Sequence, residues 1–245
     1  MSESPILLGN PILAQTAATP TNQLMASVHF PSTVYLIEKP EFLITVKPVA
    51  SAYLQQAKQQ SPKLDPTYPL YQTDNFFHEA SLNQFSSYIA QTAWSILSDQ
   101  GYNMADQHTY FTEMWCQEHH THSSHDEHIH GWGNQISGFY FLDCPKDCSR
   151  IIIHDPRPGK KQINLPETDV SKATYASTMI NFEPKPGLMI FTNSWLPHQV
   201  GKNAAKSPIR FVHFNLGVRH VSQSPANFYV APSSTQMQTE QAVVI

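Results

Sequence analysis

The spacing of apolar and polar positions changes once along the chain, near Gly101. Before it, Leu82, Phe85, Tyr88, Ile89, Ala93, Trp94, Ile96 and Leu97 recur every three or four residues. That spacing lays them on one stripe of a helix, so an amphipathic helix is predicted over 82–97, with Gly101 as its C-cap. After it, apolar residues come in short runs rich in β-branched and aromatic side chains. These are Tyr110 to Trp115, Ile136 to Leu142, Ile151 to His154, Thr178 to Phe182, Leu188 to Phe191 and Ile209 to Leu216. Pro, Gly, Asn and Asp separate them, and each is predicted to be a strand. Two further β-prone runs, Val34 to Ile37 and Phe42 to Val46, precede the helix. The second also reads as the opening of a helix that continues through Ala50 to Gln60. Ser61 to Pro69 carries three prolines and is predicted to be a loop.

Many strands after a helix-rich opening predict a mainly β fold, a barrel or sandwich with helices packed on one face. Residues 1–30 are rich in Ala, Thr, Gln, Asn and Pro with no period, and are expected to form a loosely attached arm. The tail over 221–245 is rich in Ser, Gln and Pro until Val243-Val244-Ile245 and is expected to be weakly ordered. Residues 31–220 then form a single domain, for which 245 residues in all supply an ample core.

Composition narrows the function classes. Charged residues make up only 14% of the chain and the formal net charge is −4. A protein that lives on phosphate backbones needs clustered Lys and Arg, so nucleic acid is not an expected partner. No apolar run approaches the ~20 residues of a membrane span, and the start lacks a basic region before its short apolar patch, Ile6 to Leu8. The three cysteines, Cys116, Cys144 and Cys148, are too few and odd in number for a disulfide framework. They are expected to be reduced thiols of a cytoplasmic protein. Cys144 and Cys148 are half of a zinc site at most, and no second pair supports one.

Histidine changes the picture. Six of the 13 histidines fall within His119 to His130. A polar loop that meets metal only by accident is one reading of such a stretch. The spacing of His128 and His130 suggests another, because residues i and i+2 of an extended strand project to the same face. Two imidazoles side by side, with a third ligand from a distant strand, make a facial set that leaves coordination positions open for oxygen chemistry. His198, late in the β region, is the candidate third ligand. His125 and Glu127 form a second registration, a His-x-Glu pair. Arg210 lies within an apolar strand, where a cation is costly unless paired with a carboxylate of the protein or of a ligand. Asp155 is one candidate protein partner. Lys185, Lys202 and Lys206 fall in predicted loops.

The ordered set of motifs resembles a group of 2-oxoglutarate/Fe(II)-dependent oxygenases known mainly from bacteria and phages. It runs from His128-Ile129-His130 through Ile136 to Leu142, Ile152 to Arg157 and Pro186 to Phe191, then Trp195 to Val200 and Arg210 to Asn215. The likeness covers roughly Tyr71 to Gly217. It implies a double-stranded β-helix, a jelly-roll or cupin-like barrel, with Fe(II), 2-oxoglutarate and O2. It also implies hydroxylation of a C–H bond with release of succinate and CO2. Carried onto this chain, His128, His130 and His198 are the metal ligands and catalytic centre, with His130 where the superfamily usually has Asp or Glu. Arg210 matches the basic residue that grips the far carboxylate of 2-oxoglutarate. A cupin-like three-histidine iron dioxygenase without 2-oxoglutarate, and a non-enzymatic metal-binding β-sandwich, are the alternatives. The substrate is expected to be a small molecule or a peptide side chain, met by loops around 61–75 and 157–176.

Overall fold

The computed structural model describes residues 28–223. Most of the arm and tail expected at the two ends therefore lies outside the described residues. Among the described residues, ten strands and two long helices follow in chain order: β1 (Val34–Glu38), α1 (Leu43–Gln60), β2 (Leu70–Gln72), α2 (Asn83–Asp99), β3 (Gln107–His119), β4 (His125–His128), β5 (Asn134–Asp143), β6 (Ile151–His154), β7 (Met179–Phe182), β8 (Leu188–Asn193), β9 (His198–Val200) and β10 (Ile209–His220). The run Phe42 to Val46 therefore opens a helix and not a strand. Local β-preference loses to the burial of Val46, Ala50 and Leu54, which fall four apart on one face of α1.

The strands form two antiparallel sheets. The larger has the order β1-β8-β5-β10-β3-β2 and the smaller β4-β9-β6-β7. From β3 onward the chain passes back and forth between them, with only β6 and β7 consecutive in one sheet. This alternation is the double-stranded β-helix that the motifs led us to expect. Helices α1 and α2 cover the outer face of the larger sheet, and the smaller sheet closes over its inner face.

Strand alternation sorts the side chains of the larger sheet into two cores. Val212, Phe214 and Leu216 of β10 belong to the core shared with α1 and α2, together with Met114, Cys116, Tyr140, Phe191, Phe85 and Ile89. Ile209 and Phe211 belong to the core between the sheets, with Phe139, Phe141, Ile190, Ile153 and Val200. A one-residue change of position therefore moves a side chain from one compartment to the other. Gly138 marks how tightly the central strands pack, because a Cβ there would lie 2.4 Å from the Phe214 ring and 2.5 Å from the Ile190 carbonyl oxygen.

Cys116 is buried and Cys144 and Cys148 are partly buried, and all three are free thiols. Among the described residues, no helix is long and apolar enough to cross a membrane.

Candidate metal centre

His128 and His198 face each other across the β4–β9 pairing, as direct register partners. Their ring centroids are 4.6 Å apart. His130 lies just past the end of β4 and reaches the same place, 5.0 Å from His128 and 5.1 Å from His198. Its backbone N–H donates to the carbonyl of Ser194, and the Ser194 hydroxyl donates to the carbonyl of Asn134. The loop bearing His130 is thereby tied to the turn that delivers His198. One nitrogen from each of the three rings falls within 4.8 Å of the others, the spacing of donors around a single ion.

Hydrogen bonds on the other ring nitrogens fix which atoms face the centre. His198 Nδ1 lies 3.1 Å from the carbonyl of Leu196, and His128 Nδ1 lies 2.7 Å from that of Asp126. A carbonyl only accepts, so each Nδ1 carries the proton and each Nε2 keeps its lone pair. His130 Nδ1 lies 3.1 Å from the amide of Asn215, which also contacts Glu113 and accepts from the Ser137 hydroxyl. Ligation through His130 Nε2 puts its proton on Nδ1, facing an amide nitrogen that donates to the Glu113 carboxylate at 2.8 Å, so the amide must turn and give up that bond to accept from the ring.

The Nε2 atoms of His130 and His198 are buried and have no hydrogen-bond partner among the described residues. A buried polar atom without a partner is costly, and a metal ion satisfies both at once. Burial first, and then the neighbouring His128, push His198 down to about 3 and His130 down to about 4. Both imidazoles are therefore neutral at pH 7, the form that binds a metal.

The other registration does not assemble. Glu127 points to the outer face of the smaller sheet, where its carboxylate lies 3.3 Å from Lys161 Nζ and 3.5 Å from His154 Nδ1. His125 stacks on His128 at 4.4 Å, outside the three-histidine group. His119 is buried and bonded to Ser123 and Gln117, and His122 is exposed.

Arg210 corrects the expectation placed on it. It shares the alternation of Val212 and Phe214, so its side chain lies on the helix-facing side of β10, away from the histidines. There its Nε donates to Glu118 at 2.7 Å and its Nη1 lies 3.5 Å from Asp143. Both carboxylates are also met by lysines of α1, Lys58 and Lys47. The inner-facing residues of this stretch are Ile209, Phe211, His213 and Asn215, none of them a lysine or arginine. Asp155, the other partner considered for Arg210, is instead clamped by Arg157 at 2.9 and 2.7 Å.

Two inner-face residues escaped the sequence reading. His213 is buried, with its ring 4.7 Å from that of His130 and its Nε2 without a partner among the described residues. Asn215, described above, holds His130. The signal was the alternation Ile209, Phe211, His213, Asn215, which puts both on one face with the barrel core.

Residues 113–215 match the model of a family described as "Putative 2OG-Fe(II) oxygenase". No curated protein matches the chain. Among solved structures, AviO1 from Streptomyces viridochromogenes Tue57 is similar at a TM-score of 0.53 and 14% identity, over 82% of this chain and 93% of that one. The non-heme alpha ketoglutarate dependent epimerase SnoN from nogalamycin biosynthesis is similar at 0.52 and 8% identity, over 87% and 89%. The carbocyclase SnoK of the same biosynthesis is similar at 0.53 and 7% identity, over 77% and 82%. At these identities the likeness concerns the fold.

Proposed function

We propose that this chain, whose residues 113–215 match the 2OG-Fe(II) oxygenase family model, is such an oxygenase, holds one Fe(II) on His128, His130 and His198 and hydroxylates a C–H bond of its substrate. The observation that carries the ligand set is the convergence of three imidazole nitrogens within 4.8 Å, two of them buried and otherwise unpartnered. When bound, the iron supplies oxygen activation: one atom of O2 enters the substrate and the other enters 2-oxoglutarate, which leaves as succinate and CO2.

The protein's own residues perform the positioning. Leu196 and Asp126 hold His198 and His128 in the ligating tautomer, and Asn215 orients His130 from behind. Phe139 packs edge-on to His198 at 5.4 Å and lies 4.8 Å from His213. With Ile153 and Leu196 it keeps water from the buried side of the rings. Glu113, beyond Asn215, supplies a negative charge near a ligand set that has none of its own.

A second reading has one observation in its favour. The ligands are three neutral imidazoles and Arg210 faces the helices, which suits an iron dioxygenase that works without 2-oxoglutarate. The test is O2 consumption by the Fe(II)-loaded protein, with succinate measured in parallel. Succinate formed only when 2-oxoglutarate and O2 are both present supports the first reading. Absence of succinate, together with oxygen uptake on a substrate screen lacking 2-oxoglutarate, establishes the second.

A further inference from the structure

One register rung crosses the inner face of the smaller sheet from the histidines to a cavity. His128 pairs with His198, His198 with Ile153, and Ile153 with Ile180. Adjacent strands lie ~4.8 Å apart, so Ile153 is one strand from a candidate ligand and Ile180 two. Ile153, Ile180, Leu196 and Val34 line a cavity of about 260 Å³ at that end of the rung. Leu196 is also the residue whose carbonyl fixes His198. Floor and metal centre are thus built from the same strand ends.

The rim is polar, and the charged pair on it neutralises itself. Arg157 and Asp155 both line the cavity, and the guanidinium binds both carboxylate oxygens through Nε and Nη2. That hydrogen bonding holds the Asp155 carboxyl below the usual carboxylate range, so both groups are charged and cancel each other. A ligand carboxylate gains only the guanidinium hydrogens that Asp155 leaves free and meets the like charge of Asp155 beside them, and an ammonium meets the reverse. An uncharged amide loses nothing to this pair and meets further donors and acceptors at Tyr175, Ser177 and Thr178. The volume is below the ~300 Å³ at which drug-sized pockets begin, enough for an aliphatic group about the size of one amino-acid residue.

We propose that this cavity is the substrate pocket and that it takes an uncharged, amide-bearing aliphatic group, as in the interior of a polypeptide. The apolar part rests on Ile153, Ile180 and Leu196, and the amides meet the Arg157–Asp155 rim. The substrate assignment rests on the oxygenase reading, whereas binding of the group does not. The test is saturation-transfer NMR on the full chain with three probes: N-acetyl-L-leucinamide, N-acetyl-L-leucine and N-acetyl-L-lysinamide. The neutral probe is expected to bind at least about fivefold more tightly than either charged one, with or without metal. Thr178→Trp, which fills the mouth, is expected to abolish binding. Thr174→Trp on the exposed rim gives a second variant should the first fail to fold, and it should weaken binding at least severalfold. Preference for a charged probe, or neutral binding untouched by the folded tryptophan variants, overturns the proposal. If the wild-type chain binds the neutral probe but takes up no Fe(II) in a parallel titration, the oxygenase reading fails and the pocket stands.

Discussion

Arg210 and Glu118 are register partners on β10 and β3, and the arginine Nε donates to the fully buried carboxylate at 2.7 Å on the helix-facing side of the sheet. The pair is a brace between sheet and helix layer. Arg210→Ala should lower stability by about 1.5–3 kcal/mol, the range for a hydrogen bond to a charged group. Lys58 and His120 still hold Glu118 in that variant. 2-Oxoglutarate affinity should stay within about twofold of wild type. Urea unfolding reads the first quantity, and the charge-transfer absorbance of the anaerobic Fe(II) protein reads the second. A hundredfold loss of 2-oxoglutarate affinity without loss of stability would return Arg210 to the cofactor.

Glu118 also gives the protein an acid-sensitive component of stability. Burial alone would raise its carboxyl, but hydrogen bonds from Lys58, Arg210 and His120 outweigh that and hold it below its ordinary 4.5. A carboxyl lowered on folding contributes stability that is fully present above its unfolded value and is lost as pH falls through its folded value. The stability gap between wild type and Glu118→Gln should therefore be widest near neutral pH and shrink below about 4.5. Denaturant unfolding of both proteins at pH 7 and pH 4 measures it. A constant gap would mean that Glu118 acts only through shape.

Asn215 touches the proposed metal site only through His130 Nδ1. Replacing such an outer partner typically costs about 10–100-fold in metal affinity. Asn215→Ala should fall in that range, and Asn215→Asp, which accepts from Nδ1–H but sets a second carboxylate beside Glu113, should recover only part of the loss. Competition titration with a chelating dye distinguishes the two. Equal affinity in all three proteins would show that His130 orients itself.

The strands of the two cores were legible because their burial demands β-branched and aromatic runs. Ile136 to Leu142, Ile151 to His154 and Ile209 to Leu216 all lie within or span their strands β5, β6 and β10. The two strands that carry His128 and His198 were not. β4 is His-Asp-Glu-His and β9 is His-Gln-Val, short polar segments whose pairing comes from the closure of the barrel. β3 runs on to His119 because Gln117 and Glu118, polar by type, are buried with partners that no local pattern shows. The spacing of His128 and His130 was readable, although His130 lies past the end of β4 and is placed by its backbone bond to Ser194 as well as by strand alternation. Arg210 failed by one position, since the alternation that places Phe211 and His213 inside the barrel places it outside.

The ligand set is tested most directly by anaerobic Fe(II) titration of the wild-type chain beside His128→Ala, His130→Ala, His198→Ala and Glu127→Ala. A three-histidine centre predicts one ion per chain, a loss of at least about 100-fold in affinity for each histidine variant, since loss of an outer partner alone reaches that range, and an unchanged Glu127→Ala. Full iron binding by His130→Ala together with its loss in Glu127→Ala would contradict the three-histidine centre.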